Sequence, residues 1–182
     1  GIFFTVNGFA EGKRDAAHLI QLNALFCDID FPDKTNRDPD KIRIYKNDLA
    51  QELFQDDILP TAIVETKNGL HVYWVFTQPI LLNEYNPTQR ETLLANYRKV
   101  EEAILSRFDG DPAAKDTSRV LRVPDTYHQK NPLDVFQCKI LHFAKQNTYT
   151  FDNLASKFLK EPTQGTMIDG WAIAQQETQI DE

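Results

Sequence analysis

Six short runs of β-branched, aromatic and other apolar residues recur along the chain, with helical stretches between them. Strands and helices that alternate in this way are typical of an α/β or α+β fold built around one sheet. Strands are predicted at residues 2–6, 25–29, 62–65, 70–76, 119–123 and 135–143. Helices are predicted at residues 14–22, 48–54, 88–106 and 152–159, and the third of these has the clearest apolar face.

The turn Lys67-Asn68-Gly69 separates the third and fourth predicted strands. An Asn-Gly pair between two apolar runs is a strong hairpin signal, because both residues tolerate the left-handed conformation that a tight turn needs. We therefore predict that residues 62–65 and 70–76 pair as an antiparallel hairpin.

A chain of 182 residues is long enough for one domain with its own core. We predict this domain at residues 1–160 and an acidic tail or linker at residues 161–182, which hold five acidic residues and no Lys or Arg. The chain opens on Gly1 rather than Met, so we expect it to be part of a longer multidomain protein.

Membrane and secretory features are absent from the sequence. The longest apolar runs are too short to span a bilayer, and no basic segment precedes the apolar start of the chain. Cys27 and Cys138 lie in apolar runs without the CxxC spacing of a zinc site, so we predict buried free thiols. These observations favour a cytoplasmic protein with no membrane partner.

The net charge of −7 argues at first against a nucleic-acid partner. The charge is unevenly distributed, however: residues 115–145 hold six basic residues against three acidic ones. Carboxylates that bind metal cations would add negative charge that the cations offset. Overall charge therefore leaves nucleic-acid binding open.

Asp28 and Asp30 follow the apolar run at residues 24–27. On a strand, residues two apart project from the same face, with Cα atoms about 6–7 Å apart. Two such carboxylates can bracket a divalent cation, as in the two-metal sites of polymerases and nucleases. The alternative is a strand that simply ends in an acidic loop, since Asp33, Asp38 and Asp40 follow.

His71 follows the predicted Asn68-Gly69 turn directly, at the mouth of a strand. Gly69 allows the backbone to approach a ligand closely, and the N–H groups beside it could meet an anion. His71 could then contact a phosphate, or it could be a hydrogen-bonded residue of the core.

The segment from Asp116 to Arg122 combines one carboxylate with two arginines spaced three apart. Guanidinium groups bind phosphate oxygens in bidentate fashion, so this pattern is typical of a site that holds a triphosphate beside a metal. Ser118, Lys130 and His128 could reach the same anion. The alternative is a surface salt bridge between Asp116 and Arg119, worth about 0–1 kcal/mol.

Several other phosphate and catalytic motifs are absent. The sequence holds no Walker-type or Rossmann-type glycine loop, and no HExxH, GxSxG or CxxC motif.

Taken in order, these three segments resemble the archaeo-eukaryotic primase superfamily, and especially the primase-polymerase domains of plasmids, phages and CRISPR-associated systems. The family's acidic DxD/E motif is matched by Asp28 and Asp30, and its strand-borne histidine by His71. Its third aspartate is matched by Asp116, with Arg119 and Arg122 after it. Lys115 departs from the usual apolar residue before that aspartate, so Asp111 is a rival for its role.

The resemblance implies an RRM-like antiparallel or mixed sheet beside a smaller α/β module, with the active site in the cleft between them. It implies that Asp28, Asp30 and Asp116 bind two Mg²⁺ or Mn²⁺ ions. It also implies a set of nucleotide-binding residues: Asn68, Gly69, His71, Ser118, Arg119, Arg122 and Lys130. Asn7, at the end of the first strand, is a further candidate for contact with template or nucleotide.

The activity implied is template-directed transfer of nucleotides from (d)NTPs, on single-stranded or primer-template DNA. Two other functions remain open at this stage. One is a two-metal nuclease or phosphodiesterase that uses the same carboxylates. The other is a non-catalytic module that binds single-stranded nucleic acid through exposed aromatic residues on a sheet.

Overall fold

The computed structural model describes residues 1–131 and 133–159, which form nine strands and three α-helices. The strands are β1 (Phe3–Thr5), β2 (Gly8–Phe9), β3 (Leu19–Asp30), β4 (Ala62–Glu65), β5 (Gly69–Leu81), β6 (Val120–Arg122), β7 (Tyr127–Asn131), β8 (Asp134–Gln137) and β9 (Lys139–Phe143). The helices are α1 (Pro39–Gln55), α2 (Pro87–Arg107) and α3 (Phe151–Phe158). Short 3₁₀ helices occupy Ala16–His18, Leu82–Glu84 and Pro112–Lys115.

Five strands form one antiparallel sheet in the order β2-β3-β5-β4-β9. Its centre is the long pairing of β3 with β5, and β4 pairs with β5 as the hairpin predicted at Asn68-Gly69. Two smaller ribbons join β1 to β6 and β7 to β8. The sequence prediction of a mixed fold with an antiparallel sheet core is confirmed.

The helices cover the apolar side of this sheet around Trp74, which is completely buried. The Trp74 ring stacks on Phe108 after α2 and meets the edge of Phe158 in α3, at centroid distances of 5.7 and 5.2 Å. Its indole N–H donates to the Ile58 carbonyl at 2.9 Å. This packing fixes β5, and hence the strand beside it, against the helices.

Local signals explain where the helices start. The Asp38 side chain accepts the N–H groups of Asp40 and Lys41 and begins α1. Asn86 begins α2 with a reciprocal capping box to Gln89. Thr150 caps α3. The predicted helices at residues 88–106 and 152–159 are confirmed, and the one at residues 48–54 is the second half of the longer α1.

The helix predicted at residues 14–22 is wrong. Only Ala16–His18 form a 3₁₀ turn, capped by the Asp15 carboxylate, and the chain is extended from Leu19 onward. Leu19 and Leu22 are both buried although they lie three positions apart, and a register shift between Leu22 and Ala24 interrupts the alternation of this strand. Pairing with β2 and β5 decides the conformation here.

The single strand predicted at residues 135–143 is also wrong. Cys138 divides it into β8, which pairs with β7, and β9, which pairs with β4. The Cys138 N–H donates to the Thr126 carbonyl at 2.9 Å, and its carbonyl accepts from Asp125 N–H at 2.8 Å. Cys27 and Cys138 are both buried free thiols, as predicted.

The acidic segment predicted at residues 161–182 lies outside the described residues. Among the residues that are described, no helix has both the length and the apolar character needed to cross a bilayer.

Candidate active site

Asp28 and Asp30 lie at the end of β3, on the face that also carries His71. Asp28 is paired in register with His71, and Asp30 with Gly69. The His71 Nε2 atom lies 3.5 Å from a carboxylate oxygen of Asp28. The first two predicted motifs are therefore brought together by the β3–β5 pairing.

The Asn68-Gly69 turn holds the start of β5 tightly against the end of β3. The Asn68 carbonyl accepts the Phe31 N–H at 2.8 Å, and the Thr66 hydroxyl accepts the Gly69 N–H at 3.1 Å. A Cβ at position 69 would collide with the Ile29 carbonyl oxygen. Glycine is thus required here for the close approach of two strands, whatever contact it makes with a nucleotide.

Arg119 joins Asp28 to a second carboxylate, that of Asp111. One guanidinium nitrogen lies 3.0 Å from Asp28 Oδ2 and 2.7 Å from Asp111 Oδ2. The backbone reinforces this arrangement, because the Asp111 N–H donates to the Asp28 carbonyl at 2.7 Å. Asp111, the rival candidate for the third carboxylate, therefore shares the Arg119 guanidinium with Asp28.

Gly110 makes this approach feasible. A Cβ at position 110 would lie 2.5 Å from Cys27 Sγ and 2.8 Å from Leu105 Cδ2. The absence of a side chain lets the loop after α2 pack against β3, so that Asp111 reaches the level of Asp28.

Asp116 has a local structural contact. Its carboxylate accepts the Ser118 N–H at 2.9 Å and the Ser118 hydroxyl at 2.8 Å, and its carbonyl accepts the Arg119 N–H at 2.8 Å. Asp116 and Ser118 thus shape the turn that leads into Arg119. Their roles as metal ligand and nucleotide contact stay predictions.

Burial sets the protonation behaviour of the site. It raises the pKa of both Asp28 and Asp30; Arg119 opposes this at Asp28, and the charge of Asp28 adds to it at Asp30. Burial lowers the pKa of His71 to about 4, and the positive charges of Arg122 and Arg119 act in the same direction. His71 is therefore neutral at pH 7, with one ring nitrogen as a donor and the other as an acceptor.

Three buried polar atoms on the β4–β5 hairpin make no hydrogen bond to any of the described residues: Asn68 Oδ1, His71 Nδ1 and Tyr73 Oη. They lie beside the carboxylates, and the rings of His71 and Tyr73 are 6.5 Å apart. A buried polar group without a partner costs about 1–3 kcal/mol. Such a concentration beside an acidic pair suits a site that receives a polar ligand.

The remaining predicted residues fall in different places. Arg122 lies over the Phe3 ring at the edge of the site, 4.7 Å from the ring centroid. His128 lies on β7 opposite Phe136. Lys130 is also on β7, but its side chain is outside the described part of the structure. Asn7 is only 1% exposed, so in this arrangement its side chain is an interior group rather than a contact for template.

Sequence reasoning missed a buried network of hydrogen bonds along the edge of β3 that faces away from β5. Beyond Gln21, this strand pairs with β5 alone among the described strands. On its other edge the Tyr97 hydroxyl donates to the Ala24 carbonyl at 2.8 Å, and Glu101 accepts the Phe26 N–H at 3.1 Å. The side chains of α2 thus take the place of a neighbouring strand just before Asp28.

Asn7 connects this network to the third motif. Its amide nitrogen lies 3.3 Å from both the Tyr97 hydroxyl and the Thr117 carbonyl, and its oxygen accepts the Asn23 N–H at 3.1 Å. One buried set of hydrogen bonds therefore holds β3 and the segment before Arg119 in a fixed relation.

The donor chemistry of the site suits a hard divalent cation. As the described residues stand, no group of three or more His, Cys, Asp or Glu side chains is arranged to hold a metal ion. Arg119 instead places a positive charge between Asp28 and Asp111. The carboxylate oxygens of Asp28 and Asp111 converge on the Arg119 guanidinium. Carboxylate oxygens are also the ligands that Mg²⁺ and Mn²⁺ prefer.

Most of the sequence matches the model of a known protein family. Residues 42–163 match the family described as the RepB DNA-primase N-terminal domain. This region includes His71, Asp111 and Arg119, whereas Asp28 and Asp30 precede it. A replication protein of Clostridium perfringens is 27% identical over an alignment of 134 residues, and the match covers 71% of this chain and 30% of that protein. The chain thus spans less than a third of that relative.

A solved structure has a similar fold. The AEP domain of the cyanophage S-2L primase-polymerase superposes with a TM-score of 0.54 at 16% identity, and the match covers 87% of this chain and 68% of that one. At this identity the likeness concerns the fold alone.

Proposed function

Because the chain belongs to the family of RepB DNA-primase N-terminal domains, we propose that it catalyses template-directed nucleotidyl transfer as a primase or primer-extending polymerase. The observation that carries this proposal is the position of Arg119, which is bound to Asp28 and Asp111 beside the neutral His71. Carboxylates of the kind that suit divalent cations therefore lie beside an arginine and a histidine of the kind that suit phosphate, which supports the proposal.

Asp28, Asp30 and Asp111 are proposed to hold the two Mg²⁺ or Mn²⁺ ions, with Asp111 preferred to Asp116. When bound, such ions lower the pKa of the attacking 3′-hydroxyl and neutralise the leaving pyrophosphate. The burial that raises the pKa of Asp28 and Asp30 means that each carboxylate gains from a nearby cation.

Arg119 would exchange partners when a nucleotide binds. In the structure it neutralises Asp28 and Asp111; in the proposed complex its guanidinium turns to the triphosphate, where bidentate contacts to phosphate oxygens are favourable. His71 would donate a hydrogen bond to the same group in the tautomer that carries the proton on Nδ1, an atom without a partner among the described residues. Phosphoryl transfer depends mainly on positioning and charge stabilisation, which these residues supply.

A nuclease or phosphodiesterase with the same carboxylates would need to activate water and would have no need of a triphosphate clamp. The proposal is tested by incubating the protein with Mn²⁺, a nucleoside triphosphate and a primed single-stranded template. We expect extension of the primer. Cleavage of the template without extension would favour the nuclease, and DNA binding without metal binding would favour a non-catalytic module.

The choice between Asp111 and Asp116 gives a separate prediction. We expect Asp111→Asn to weaken Mn²⁺ binding and to lower incorporation by about 100-fold or more, since carboxylates that position reacting groups have effects of this size. Asp116→Asn is the matched control: its side-chain oxygen can still accept the Ser118 N–H of the turn, so the substitution removes the charge and should change Mn²⁺ affinity little. Calorimetric titration with Mn²⁺ measures both, and the reverse order would restore Asp116 as the third ligand.

A further inference from the structure

Two exposed aromatic residues and a half-buried arginine lie around Gly1 at the edge of the site, and we call this set the aromatic ledge: Phe3, Arg122 and Tyr127. Phe3 and Arg122 are paired in register between β1 and β6. The Phe3 and Tyr127 side chains are 47% and 54% exposed. A Cβ on Gly1 would meet the Arg122 guanidinium and lie 3.6 Å from the Tyr127 carbonyl oxygen, so the backbone of Gly1 connects the three.

Within the ledge, Arg122 lies over the face of Phe3, with its guanidinium carbon 4.7 Å from the ring centroid. This stacking holds the guanidinium plane in a fixed orientation while the ring remains about half exposed. Exposed aromatic rings are platforms on which unpaired bases stack, and a neighbouring arginine adds a cation–π contribution.

Two parts of the ledge, Arg122 and the hairpin that begins with Tyr127, lie near the carboxylates of the proposed active site. Arg122 follows three residues after Arg119, whose guanidinium lies 3.0 Å from a carboxylate oxygen of Asp28. The β7–β8 hairpin that begins with Tyr127 is held to the β4–β5 turn by the ion pair of Lys67 with Asp134. That turn leads directly into His71. A strand of nucleic acid lying on the ledge would therefore be close to the site.

We propose that the aromatic ledge binds single-stranded DNA and guides it to the active site; this inference rests on the proposed function. Phe3 and Tyr127 supply stacking faces for unpaired bases, and Arg122 combines a planar stacking group with a positive charge for the backbone. Duplex DNA offers no free base faces, so the ledge selects unpaired strands. Stacking also tolerates every base, as a template site must.

The test measures the affinity of the whole chain for a fluorescent oligo-dT by anisotropy, without nucleotide or metal, across a series of salt concentrations. Phe3→Leu and Tyr127→Leu keep an apolar side chain but remove the aromatic face. We expect each to weaken binding by about tenfold, as for loss of one stacked base, and to leave the salt dependence unchanged. Arg122→Ala should instead weaken binding and reduce the salt dependence.

Phe54→Leu is the matched control, because Phe54 is 46% exposed on α1 and meets the edge of His142 rather than an arginine. It should bind oligo-dT as the wild type does. Oligo-dT binding by Phe3→Leu and Tyr127→Leu equal to that of the wild type would overturn the proposal, as would equal weakening in the Phe54→Leu control.

The binding test of the ledge and the primer-extension test of the proposed function can fail independently. If the wild type binds oligo-dT through the ledge but does not extend a primer, the ledge stands and the polymerase proposal fails. If the wild type extends primers and the two leucine variants keep full oligo-dT affinity, the polymerase proposal stands and the ledge is wrong.

Discussion

Asp28→Asn is expected to lower metal-dependent nucleotide incorporation by on the order of 10³-fold or more, as is typical when a residue acts as part of a catalytic unit. Asparagine keeps the shape of the side chain but loses the charge that attracts a divalent cation. The substitution also removes the charge from one of the two carboxylates that Arg119 contacts. Primer extension with Mn²⁺ measures the rate.

Stability should change much less than activity in this variant. The variant loses the ion pair with Arg119, but it also avoids the free-energy cost of a buried charge. That cost is what raises the pKa of Asp28. We expect a change in the free energy of unfolding of about 1 kcal/mol or less. Asp40→Asn, on the exposed start of α1 where Asp40 pairs with Arg43, is the control. Asp28→Asn with activity close to that of Asp40→Asn would rule out the assignment.

Parts of this site could be predicted because their signals are local. Two aspartates at positions i and i+2 after an apolar run must share a strand face, and an Asn-Gly turn fixes the hairpin that carries His71. The register between β3 and β5, which sets Asp28 opposite His71, follows from long-range pairing. The sequence predicted both members of this pair but not their distance.

The third carboxylate shows where sequence reasoning ends. The resemblance matches the third aspartate to Asp116, with Asp111 as the rival, and our preference for Asp111 rests on packing. Gly110 fits against Cys27 and brings the Asp111 N–H to the Asp28 carbonyl, whereas Asp116 turns its carboxylate to Ser118. No local pattern encodes a contact between residues more than eighty positions apart in the chain.

Glu101 was missed for a related reason. A glutamate in a long helix is usually a solvated residue, and nothing in the sequence around it signals otherwise. In the structure it is completely buried, and its carboxylate accepts the Phe26 N–H two residues before Asp28. Tyr97, one turn earlier on α2, binds the Ala24 carbonyl on the same edge. These contacts fix the strand that carries the acidic pair.

Glu101→Ala is expected to lower the free energy of unfolding by about 3 kcal/mol, because it leaves a cavity and a buried N–H without an acceptor. Glu101→Gln is the matched control. Its side-chain oxygen can still accept the Phe26 N–H, so we expect stability near that of the wild type at pH 7. Chemical denaturation of the three proteins measures the difference. Similar losses in both variants would mean that the charge of Glu101 is required rather than its shape.

The wild type and Glu101→Gln also test the protonation state of Glu101. Burial raises its pKa from the ordinary value of 4.5 to about 8, so the folded protein keeps a proton that the unfolded chain releases. The folded state binds more protons between these two values, and the contribution of Glu101 to the free energy of unfolding therefore falls as pH rises from 4.5 to about 8. Glu101→Gln cannot titrate and should lose this part of the pH dependence. Identical slopes for the wild type and Glu101→Gln across that range would show that Glu101 is ionised in the folded protein.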